Sequence, residues 1–160
     1  MIRALSRAIT NMLSRGTVTL VNAVGKMQLL QVALLSDEAK ESIEHFEPYG
    51  FTSNPKIGAE VLTAFIEGDR SHGIVICATD RRYRVQSLVS GEVAIYDDLG
   101  HTIKLTRAGI VISGGTHVIN IVNCPSVTVT GGDVIADGIH LKTHKHGGVT
   151  AGAAQTGVPV

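Results

Sequence analysis

Two histidines, His144 and His146, flank a lysine in Leu141-Lys142-Thr143-His144-Lys145-His146-Gly147-Gly148. On an extended strand, residues two apart project to the same side, so both imidazoles would share one face and Lys145 would take the other. Paired neutral imidazoles are half of a common site for zinc, copper, iron or nickel. The other half is missing locally, because the 14 residues after His146 contain no Asp, Glu, Cys or His. A metal here must take its remaining ligands from distant residues or from further copies of the chain. In a dimer, four imidazoles suit tetrahedral zinc. In a trimer, six fill an octahedral shell, which suits iron(II) or nickel(II) as a structural ion and leaves no open position for a catalytic water.

Other constellations point away from catalysis. Asp69, Ser71 and His72 have the composition of a triad, yet they are neighbours within Gly68-Asp69-Arg70-Ser71-His72-Gly73, and the chain has no Gly-x-Ser-x-Gly elbow. Turn hydrogen bonds are the expected use of these three. Cupin-type oxygenases that use His-x-His need a Glu soon after it and a later His, and neither is present. Hydrolases with His-x-His-x-Asp need an acid where this chain has Gly148. No enzyme activity and no small-molecule substrate are expected, and a metal-dependent enzyme domain stands as a competing reading. A second competitor is an OB-fold nucleic-acid-binding protein, since Arg81, Arg82 and Arg84 cluster around Tyr83. Against it, Lys+Arg and Asp+Glu balance at 14 each and aromatics are only 4%, so no nucleic-acid partner is expected and the cluster is read as structural. Cys77 and Cys124 make no disulfide framework and are read as small apolar packers.

The elements that must position these residues read as β throughout. Residues 1–16 have no continuous apolar run of the secretory kind and are read as an amphipathic helical segment, with Ile2, Leu5, Ile9, Met12 and Leu13 on one stripe and Gly16 as its breaker. Strands are expected over 17–20, 27–35, 61–66 and 74–78. Turns are expected at Asn22-Ala23-Val24-Gly25, at Phe46 to Phe51 with aromatic anchors, and at Asn54 to Gly58; residues 36–45 read as a loop or helical turn. Short strands at this spacing over 17–90 fit a small closed barrel of OB type.

Near Gly91 the character changes. From there to Leu141 almost every apolar residue is Val, Ile or Leu, with alternation at Ile103/Leu105, Ile110/Ile112 and Val127/Val129. Gly114-Gly115 and Gly131-Gly132 sit in similar frames, a weak internal repeat of strand, turn and strand. There is no aromatic after Tyr96 and no helical pattern to cover such a sheet. Alone it would expose an apolar face and two open edges. Three chains wrapping one another over 91–140 would pair every edge and turn the apolar row to a shared axis, with 141–160 as the metal-binding apex.

Tyr49-Gly50-Phe51-Thr52-Ser53, Gly68-Asp69-Arg70-Ser71-His72-Gly73, Asp80-Arg81-Arg82-Tyr83-Arg84, Gly91-Glu92-Val93 and the terminal His-x-His together resemble the phage baseplate assembly protein V family, the central tail spikes of Mu-like contractile phages. The resemblance covers nearly the whole chain. It implies an all-β homotrimer: an N-terminal OB-fold barrel, an intertwined triple-stranded β-helix and a metal-bound apex. It further implies one structural iron ion per trimer, held by His144 and His146 of three chains. The implied setting is the tip of the virion's tail baseplate, assembled in the host cytoplasm, attached to a baseplate hub protein and driven through the host outer membrane on contraction. His140 lies outside the matching pattern and receives no role from it.

Overall fold

The computed structural model describes residues 12–34, 38–145, 148 and 152. Contacts divide the chain into two units, Met1–Val118 and Ile119–Val160. The first begins with five strands: β1 (Leu13–Asn22), β2 (Gln28–Leu34), β3 (Ala39–His45), β4 (Glu60–Phe65) and β5 (Gly73–Thr79). They close a barrel in the order β1-β2-β3-β5-β4, with β4 returning to β1. All pairs are antiparallel except β3 with β5. β1 pairs with β4 over Leu13↔Ala64 to Thr17↔Glu60 and with β2 over Gly16↔Leu34 to Asn22↔Leu29, so Gly16 and Thr17 lie between both strands and close the barrel. This five-stranded closed order is that of the expected OB-type barrel.

Alternation builds the core. Leu30, Val32 and Leu34 of β2 point inward at period two and meet Val18, Ile43, Val61, Phe65 and Val75. His45 is buried with them, its Nδ1 2.9 Å from Gln28 Oε1, and burial pushes its pKa below the ordinary histidine value. Closure also removes sheet edges from this half of the protein.

Four expectations need correction. Cys77 and Cys124 are both exposed and are not packed as the small apolar residues expected. The segment before Gly16 is not helical where it is described, because β1 starts at Leu13 and Met12 O accepts the Phe65 N–H at 2.8 Å. Ladder bonds to β4 hold these residues extended; Ile2, Leu5 and Ile9 lie outside the described residues. Residues 39–45 form a strand rather than a loop or helical turn. A bulge hides its alternation: Leu30 faces Ile43 but Val32 faces Lys40, and Ser42 sits at φ 55°. Finally, Tyr49 and Phe51 are exposed and anchor nothing. Glu47 instead holds their loop, accepting from Thr52 Oγ1 (2.9 Å), Ser53 N (2.6 Å) and Ser53 Oγ (3.1 Å).

After the barrel, β6 (Val93–Tyr96), β7 (Thr102–Leu105) and β8 (Ile110–Ser113) make an antiparallel three-stranded meander. In the second unit, β9 (Ile135–Ala136) and β10 (Ile139–His140) form a small hairpin. Between β8 and β9 the chain forms no ladder with itself, so the alternation at Val127 and Val129 has no strand partner within one copy. Among the described residues every buried apolar side chain lies between Val18 and Val75. Val93, Ile112, Ile121, Val127 and Ile139 are each more than half exposed.

Gly16 is where the barrel tests its packing most sharply. A Cβ there would lie against Val32 Cγ1, 2.8 Å from Ala33 O and 2.9 Å from Leu34 Cδ2, so the glycine marks a close approach of two strands and not a chain break. Gly16→Val is expected to destabilise the barrel by about 1–3 kcal/mol through overpacking. Urea unfolding followed by circular dichroism checks this, and an unchanged midpoint would show that the two strands have room to spare at Gly16.

Candidate metal apex

The hairpin of the second unit sets up the histidine region. Its two-residue turn, Asp137-Gly138, has φ of 47° and 80°, the left-handed pair that a tight type I′ hairpin demands and an Asp-Gly sequence favours. Leu141 N–H donates to Val134 O at 2.9 Å and carries the pairing one step past β10. Asp133 then ties the base of the hairpin to the residues beyond it. Its Oδ1 accepts from Val134 N (2.8 Å) and Lys142 N (3.1 Å), and its Oδ2 lies 3.0 Å from His140 Nδ1.

From His140 the chain turns. Thr143 N and His144 N both donate to His140 O, at 3.3 and 2.9 Å. His144 Nδ1 lies 2.9 Å from Leu141 O. A carbonyl only accepts, so Nδ1 carries the proton and the neutral ring holds its lone pair on Nε2. Metal-binding imidazoles are fixed in this way, with one ring nitrogen donating to a backbone carbonyl and the other coordinating. The chemistry of His144 therefore fits a transition-metal ligand. His146 lies outside the described residues. Leu141–Thr143 sit in a turn instead of a strand, with the N–H groups of 142–144 captured by Asp133 and by His140 O. Among the described residues no group of three or more His, Cys, Asp or Glu could hold a metal.

The Asp133–His140 contact was not expected from the sequence. The two are seven residues apart, and only the Asp-Gly turn signal between them marks the hairpin that brings them together.

The remaining motifs are structural. In the Gly68–Gly73 loop, Ser71 donates through N and Oγ to Asp69 Oδ1, at 2.8 and 2.7 Å, which leaves the serine bonded to the carboxylate and not to a base. Arg70 reaches back to Glu38 and lies 4.4 Å from the centre of the buried Phe65 ring. Bonds from Arg70 and then Lys40 hold the Glu38 carboxyl down at about 2, from an ordinary value of 4.5. The basic cluster is also engaged: Arg81 pairs with Glu60 (2.6 Å), and Arg82 pairs with Asp80 (2.6 Å) and donates to Ile57 O (3.0 Å).

Known proteins share this organisation. Residues 15–82 match the family described as Bacteriophage Mu Gp45, N-terminal, and residues 138–160 match the GpV Apex motif. The chain is 38% identical over 144 residues to the "Baseplate puncturing device gp45" of Escherichia phage Mu, covering 86% of this chain and 73% of that protein. The chain belongs to the Mu Gp45 family. It is also 34% identical over 111 residues to the "Mu-like prophage FluMu protein gp45" of Haemophilus influenzae, covering 69% of this chain and 60% of that protein. The apex match begins at Gly138, inside the Asp-Gly turn, and so contains His140, His144 and His146.

Asp133→Ala removes the acceptor for the Val134 and Lys142 amides. Their hydrogen exchange is expected to speed up by about fivefold or more, the equivalent of one ordinary hydrogen bond. Barrel amides should not change. Equal protection of Lys142 in both proteins would show that Asp133 does not hold the turn.

Proposed function

We propose that this chain is the spike protein of a contractile phage tail, located in the virion at the baseplate and acting as a mechanical, non-enzymatic part. The carrying observation is the 38% identity to a baseplate puncturing device over 86% of the chain. The Val, Ile and Leu side chains left in solvent after the barrel support an assembled form: each is worth about 1.5–3 kcal/mol when buried, and the described residues of one chain do not bury them. On this reading three copies wrap residues 91–140 into a triple-stranded β-helix below an OB barrel at 17–90, and 141–160 forms the apex. His144 and His146 of the three chains supply six neutral nitrogens to one iron ion, which supplies no chemistry and locks the chain ends together. A hub protein of the baseplate holds the spike, and contraction drives it through the host outer membrane.

The preset tautomer of His144 and the apex motif over 138–160 support the metal assignment. Elemental analysis of untagged protein is expected to give one iron per three chains. His144→Ala combined with His146→Ala should abolish the iron and fray the tip, while the barrel and the trimer survive. One zinc per chain, or per two chains, would contradict the six-imidazole site.

A further inference from the structure

A second pair of histidines lies in the first unit, outside the residues of the apex motif. His101 follows the β6–β7 turn and His117 follows β8, and the two turns meet at one end of the meander. The junction is tight: a Cβ on Gly115, itself at φ 59°, would lie 3.3 Å from Leu99 O and 3.4 Å from Gly100 O. His101 Nε2 and His117 Nδ1 are 3.0 Å apart, with ring centroids at 4.8 Å and planes at 67°. Asp97 organises this end. Its Oδ1 accepts from Leu99 N (2.9 Å) and His101 N (3.0 Å), and its Oδ2 receives His101 Nδ1–H.

These partners set the protonation pattern. A carboxylate accepts, so His101 is protonated at Nδ1 and presents the lone pair of Nε2. A carboxylate on the far nitrogen is the common outer support of a metal-binding imidazole. The distance to the second ring is informative as well. Two nitrogens each about 2.1 Å from one ion are about 3.0 Å apart at a right angle and about 3.4 Å apart at the tetrahedral angle. The observed 3.0 Å is the length of the hydrogen bond between the rings, and it is also close to the separation of neighbouring ligands in an octahedral shell, so the two nitrogens need move little apart or together to share an ion.

We propose that His101 and His117 form a divalent transition-metal site of the nickel(II) class, with His101 as the ligand fixed by Asp97 and His117 as the ligand that turns onto the ion. Without metal, His117 Nδ1–H donates to His101 Nε2. On binding, His117 carries its proton on Nε2 and coordinates through Nδ1, so no proton need leave the protein at neutral pH. Two imidazoles leave four octahedral positions, which water or groups of neighbouring copies complete. The site is separate from the apex, since it uses neither His144 nor His146.

Equilibrium dialysis of the untagged full-length chain against Ni²⁺, with bound nickel counted per chain, tests this. His117→Gln is expected to bind one ion fewer per chain than the natural protein. His72→Gln, which removes an exposed histidine of the barrel, should bind the same number as the natural protein. Asp97→Asn keeps the Oδ1 acceptor for the two turn amides but loses the charge facing His101, and should weaken that ion by about 10–100-fold. Circular dichroism checks that each variant retains its β structure. Equal nickel counts in the natural protein and His117→Gln overturn the site, as do equal losses in His117→Gln and His72→Gln. An Asp97→Asn variant that binds nickel as tightly as the natural protein overturns the role of Asp97.

Discussion

The structure turns on a mismatch between where the apolar residues are and where they are buried. The barrel hides its own inward row, from Val18 to Val75. Beyond it the chain continues to place Val, Ile and Leu at strand spacing but leaves them in solvent, with Val118, Ile121 and Val122 among the most exposed. Soluble proteins rarely present contiguous apolar surface of this kind without a partner. Between β8 and β9 the chain forms no ladder with itself, so its backbone groups are open to strand pairing with another copy. On the proposed reading, wrapping by identical chains would answer both demands at once, because each copy offers the same apolar row and the same open edges.

The barrel, by contrast, holds together within one chain. Its strands close on themselves, and the loop motifs brace the closure. Arg70 shows the logic: one guanidinium ties Glu38, just before β3, to the loop before β5 while covering the Phe65 ring. Arg81 and Glu60 brace the region after β5 against β4 in a similar way, and Arg15 of β1 joins the same carboxylate at 2.7 Å. Residues that look chemical in the sequence are therefore used to fix turns and strand ends. The histidine regions differ, since their ring nitrogens are oriented by carboxylate or carbonyl partners, a pattern that suits coordination.

Much of this was legible in the sequence because its cues are local. Period-two apolar runs located β2, β4 and β5, and the Val/Ile/Leu stretch marked a segment that cannot stand alone. The His-x-His spacing drew attention to the apex. What stayed hidden depends on contacts between distant residues. The bulge at Ser42 shifts the phase of β3, so its inward residues do not read as alternating. Gly16 reads as a breaker until Val32 and Leu34 are seen packed over it. His101 and His117 are 16 residues apart, and only the meeting of two turns makes them a pair. Just before His144, Asp133 and the His140 carbonyl draw the chain into a turn that no local cue announces.

On the proposed reading, one chain is an incomplete unit whose exposed apolar row is covered by two further copies. Native mass measurement of the untagged full-length protein is the sharpest check of that stoichiometry. A single species at three times the 16.9 kDa chain mass, stable on dilution, is expected. A monomer or a dimer as the main species would refute it, because the segment after the barrel would then be folded without the partners that its side chains require.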